Sequence, residues 1–208
     1  MRVALRAVAL FFIRSCRMSA GEGDQQRLQR HLQAALAAHK GGALEDAFSH
    51  YRAVLAINDA LPAVHNNCAA VALALGQPAA AEASWRSALA HKADYAEAHL
   101  NLAVLLSERG DAAGDGAGTR LALLGEAKRH CELALEHRPG YVQGHHLMGN
   151  ILASLSRPDE ASTHYARAHQ LAGGGAGGPA AAAAAVVGGE VVGGGGAAAG
   201  VGGGGPAG

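Results

Sequence analysis

The 208-residue chain is expected to be all-α, a solenoid of stacked antiparallel helix pairs. Three observations point there. The segments "LEDAFSHYRAVLAI", "PAAAEASWRSALAH", "LGEAKRHCELALEH" and "PDEASTHYARAHQL" align on one alanine each, Ala47, Ala81, Ala127 and Ala161, at spacings of 34, 46 and 34. Upstream, "HNNCAAVALALG", "HLNLAVLLSERG" and "HHLMGNILASLS" align as well, placing His65, His99 and His145 in one slot and Ala69, Ala103 and Gly149 in another. Each unit thus reads as a helix, a tight turn at or near a small residue, and a second helix. Self-similarity at such a period marks a repeat architecture. A pair of short helices cannot bury its own apolar face, so the units must stack in series.

In chain order, residues 1–22 come first. "MRVALRAVALFFIRSCRMSA" carries four arginines and no acid; on a helical wheel the arginines fall opposite Leu5, Val8, Phe11 and Phe12. That is the build of a transit peptide for a mitochondrion or chloroplast. The apolar run is too short to span a bilayer. Met18, followed by "SAGEGD", reads as a cytoplasmic start instead, and both readings stay open.

Four helix pairs follow over 23–171, with units at 28–61, 62–95, 96–141 and 142–171. Pro78 and Pro158 lie three residues before their anchors, in a first helical turn that needs no backbone N–H. Four residues after each anchor comes Tyr51, Trp85, Cys131 or Tyr165, expected to fill the space between units. The small residues are expected where two helices cross closely, since a leucine there overpacks at a cost of about 1–3 kcal/mol. The third unit carries an insert, "AAGDGAGTRLAL", at 112–123. Its first half reads as a mobile loop and "TRLALL" as a backward extension of the second helix, which predicts the weakest joint of the stack. Residues 172–208 are almost only Gly, Ala and Val, with one charge and no aromatic, and read as disordered.

These slots resemble the tetratricopeptide-repeat (TPR) family. The second unit supplies His65, Cys68, Ala69, Gly76, Ala81, Trp85 and Ala88; the third supplies His99, Leu102, Ala103, Gly110, Ala127, Ala134 and Pro139. The resemblance covers 28–171 and departs from the family pattern at Val54 and Cys131. It implies a right-handed α-solenoid whose first helices line a concave groove. The partner-binding residues it implies are Asn66, Asn67, Ala70, Glu97, Asn101, Val104 and Gln143, with Leu73 and Leu100 beside them. Asn67 and Asn101 share a slot, similar to a two-rung version of the asparagine ladder in O-GlcNAc transferase arrays. A carboxamide offers donor and acceptor together and can hold an extended peptide backbone. The slots that clamp a chaperone's C-terminal carboxylate in other TPR domains hold no cation here, so no such clamp is expected.

Little else competes with a binding role. Seventeen basic and seventeen acidic residues leave a formal charge of zero, with no footprint for nucleic acid. Cys16, Cys68 and Cys131 form no CxxC pair, and the latter two fall on apolar helix faces, as small core residues do. The twelve histidines do not converge: those sharing a slot sit on stacked helices about 8–10 Å apart, too far to share one metal. No catalytic residue, cofactor or metal is expected. The sequence therefore reads as a non-catalytic scaffold that docks a peptide or helix of another protein, or alternatively as the array portion of a larger enzyme such as an O-GlcNAc transferase-like glycosyltransferase.

Overall fold

A computed structural model describes residues 23–113 and 116–173. The leader at 1–22 and the tail beyond 173 lie outside the described residues, as do 114 and 115. The described residues form eight helices: α1 (23–40), α2 (Leu44–Ile57), α3 (Pro62–Ala74), α4 (Pro78–His91), α5 (Ala96–Asp111), α6 (Ala117–His137), α7 (Val142–Ser154) and α8 (Pro158–Leu171). From α2 on, each helix packs on the one before and the one after, more extensively within a pair than between pairs, and α5 also touches α7. The right-handed TPR-type solenoid expected from the sequence is what this packing makes.

The alignment slots explain how closely the helices pack. Ala47, Ala81, Ala127, Ala69 and Ala103 have no exposed surface, and Ala161 only 2%. At Gly149 even one methyl group is excluded, because a Cβ there would run into the Tyr165 ring. Tyr51 and Trp85 are buried between pairs, while Tyr165, in the last helix described, is half-buried. Phe48 packs against both buried clusters and joins them into one core.

Three of the four intra-pair turns share one geometry. Gly42, Gly76 and Ser156 adopt φ of 78°, 70° and 60°. In each, the residue in the left-handed region donates its N–H three residues back, and the next residue donates five back: Gly76 to Leu73 and Gln77 to Ala72, Ser156 to Ala153 and Arg157 to Leu152. This closes the orphan carbonyls of the first helix. Pro78 and Pro158 then start the helices after the Gly76 and Ser156 turns, and Pro62 starts α3 after the link from α2, none losing a hydrogen bond.

The third pair departs from this pattern, and the second half of its insert extends the second helix backwards as expected. α5 continues through Gly110 to Asp111, and α6 starts at Ala117, so most of the insert is helical. Gly110 becomes a contact point: a Cβ on it would lie 3.0 Å from Cγ of the fully buried Leu124. The extra residues lengthen the α5–α6 interface instead of loosening it.

Gly76 and Ser156 occupy equivalent turns with different side chains, so opposite substitutions should have opposite signs. Gly76→Ala is expected to destabilise by about 1 kcal/mol, and Ser156→Gly to stabilise by up to about 1 kcal/mol, as the left-handed conformation dictates. Urea unfolding of the two variants measures both.

Candidate functional site

The first helices α3, α5 and α7 carry every groove residue implied by the sequence, but they do not all face outward. Ala70, Glu97, Asn101, Val104 and Gln143 are half-buried. Asn66 and Asn67 are each 7% exposed and lie inside the stack, and Leu100 is buried at 1%. Asn66 is a junction: its Oδ1 accepts the Trp85 indole N–H at 3.0 Å and the Asn101 amide at 3.1 Å. One carboxamide therefore ties α3, α4 and α5 together. The equal-slot ladder of Asn67 and Asn101 is replaced by a diagonal bond from Asn101 to Asn66. Asn67 sits beside the Tyr51 hydroxyl.

Asn101 is thus held through its amide nitrogen. Glu97 is not a free anion, since Arg138 pairs with it at 2.9 Å and also lies over the Tyr141 ring at 4.8 Å. Tyr141 and Tyr95 occupy the same slot at the starts of α7 and α5, and Lys92 lies 5.2 Å over the Tyr95 ring. Burial, followed by the nearby Glu97 carboxylate, raises the pKa of both phenols, so they stay neutral donors. Sequence reasoning missed these two tyrosines. Their 46-residue separation, equal to the spacing of Ala81 and Ala127, was the available signal.

Pairs of histidines form the other recurrent feature. His31 and His50, His99 and His130, and His145 and His164 meet Nδ1 to Nδ1 at 3.1, 2.9 and 3.1 Å. Nε2 of His65, His99 and His145 lies 2.9, 2.9 and 3.1 Å from the carbonyls of Asp59, Ala93 and Pro139. A carbonyl can only accept, so Nε2 carries the hydrogen, and Nδ1 of His99 and His145 accepts from its partner histidine. Burial pushes the pKa of His99 and His164 down, and that of His130 down to about 4, helped there by Arg129 and His99 and opposed by Glu126. Burial likewise pushes the thiols up, to about 11 for Cys68 and about 12 for Cys131, as inert core residues require. No helix among the described residues is long and apolar enough to cross a membrane.

Stacked helix pairs with small buried residues at their repeated slots define a tetratricopeptide-repeat protein. Residues 21–127 match the family model described as the coatomer epsilon subunit, and the chain belongs to that family. Solved structures bear out the fold. The chain is similar to MamA at a TM-score of 0.62 and 15% identity, covering 76% of this chain and 85% of that one. A thermophilic TPR protein of Thermus thermophilus, TTC0263, gives 0.59 and 19%, over 69% and 74% of the two chains. The first TPR of Spaghetti (RPAP3), solved bound to the HSP90 peptide SRMEEVD, gives 0.50 and 24%, over 63% and 94%. No curated protein sequence matches the chain.

The buried histidines set a pH dependence. Because the folded pKa of His130 is below the ordinary value of 6.5, the unfolded chain binds the proton first. Stability is therefore present above about pH 6.5 and lost as pH falls through about 4, by about 2–3 kcal/mol for this residue. Urea unfolding from pH 7 to pH 4 should show the slope, and His130→Gln should flatten it.

Proposed function

We propose that this chain is a non-catalytic docking subunit that holds a helix or an extended segment of another coatomer subunit against α3, α5 and α7. One observation carries the reading. The Asn66–Asn101 bond fixes a carboxamide on a half-buried face, with Ala70 and Val104 offering apolar surface and Tyr95, Tyr141 and Gln143 offering polar contacts. Small side chains beside fixed donors and acceptors suit a helix or strand laid in a groove. Family membership supports the choice of partner, because an epsilon subunit is by its name one component of a larger assembly. The alternative of a glycosyltransferase array finds no supporting observation.

Mixing the purified chain with the remaining coatomer subunits of the same cell should yield a co-eluting complex on size exclusion. Val104→Glu with Gln143→Ala should weaken that complex at least tenfold, about 1.4 kcal/mol, without changing the Tm. Unaltered affinity in that variant, or no complex with the parent chain, would contradict the proposal.

A further inference from the structure

We infer that Asp59, His65 and His91 form a binding site for one divalent transition metal of the zinc type, at the joint between the first two helix pairs. Asp59 lies in the link between α2 and α3, His65 in the first turn of α3, and His91 is the last residue of α4. Nε2 of His65 lies 3.1 Å from Oδ1 of Asp59, and Nε2 of His91 lies 3.1 Å from Oδ2. One donor atom from each of the three residues falls within 4.8 Å of the other two. Tetrahedral zinc, with bonds of about 2.0–2.1 Å, needs ligand atoms about 3.3 Å apart. The two imidazoles hold different oxygens of the carboxylate, so one metal would draw the three donor atoms together from within 4.8 Å to that spacing.

The surroundings suit the change that a metal requires. To ligate through Nε2, His65 must move its hydrogen to Nδ1 and release the Asp59 carbonyl. That carbonyl keeps the Leu61 N–H at 2.8 Å and is not orphaned. In the other three pairs a histidine fills the slot opposite Nδ1, but here the same register holds Ser84. Its hydroxyl donates to the Ala80 carbonyl at 2.9 Å, and no second imidazole fills that slot to oppose a hydrogen moved to Nδ1. The site is open: the Asp59 side chain is 70% exposed and that of His91 31%, which leaves room for water as a fourth ligand. The adjacent Lys92 is drawn away over the Tyr95 ring.

The third pair is a built-in control. His99 and His137 occupy the positions of His65 and His91, with stacked rings 6.3 Å apart against 5.6 Å, but Ala93 replaces Asp59. Two imidazoles are present there without the carboxylate.

Titrating the full chain with Zn²⁺ by calorimetry, and with Co²⁺ followed by visible absorption, tests the assignment. One equivalent should bind, Co²⁺ should develop the intense bands of tetrahedral coordination, and Zn²⁺ should raise the Tm. Asp59→Asn and His91→Ala, both at solvent-accessible side chains, should each lower affinity at least tenfold, whereas His137→Ala should leave it unchanged. The assignment is overturned if the parent chain binds neither ion, if Asp59→Asn binds as tightly as the parent, or if His137→Ala loses as much as His91→Ala.

Discussion

Two helices approach within about 8 Å only where neither backbone carries a bulky side chain at the crossing. Every pair in this chain meets that constraint with the same device. An alanine is buried in the second helix, at Ala47, Ala81, Ala127 or Ala161, and a small residue is buried in the first, at Ala69, Ala103 or Gly149, where the Tyr165 ring takes the space of a Cβ. Close crossings let Tyr51 and Trp85 reach from one pair to the next without leaving voids. The long-range order of the array thus depends on short-range contacts repeated along it, as nearest-neighbour stacking requires.

The buried polar groups follow the same geometry. With backbones this close, a carboxamide on α3 reaches both Trp85 and Asn101, and an imidazole on a first helix reaches one on the second. These bonds fix the relative rotation of the helices, which apolar contacts alone leave loose. They also tie Asn101 to the core, because Asn66, which orients it, is itself buried.

Most of the architecture could be read from the residues. The 34-residue spacing, the glycines of the turns and the prolines at helix starts each reflect a local rule that acts whatever surrounds it. The third pair was harder. Gly110 looks like the turn glycines at Gly42 and Gly76, and only the packing of Leu124 shows that it stays helical. The helices that carry the candidate residues were legible, but not the depth of each side chain: Asn66 and Asn67 are both only 7% exposed and lie inside the stack. The histidine pairs escaped notice for another reason. Their 19-residue separation crosses the turn, and it becomes 31 where the insert intervenes.

Replacing each crossing alanine by leucine, one at a time, and measuring unfolding free energy against Ala83→Leu tests the central claim most directly, because Ala83 is exposed on the same helix as Ala81. Close crossing predicts a loss of about 1–3 kcal/mol at Ala47, Ala81, Ala127 and Ala161, and almost none at Ala83. Equal tolerance at all five positions would contradict it.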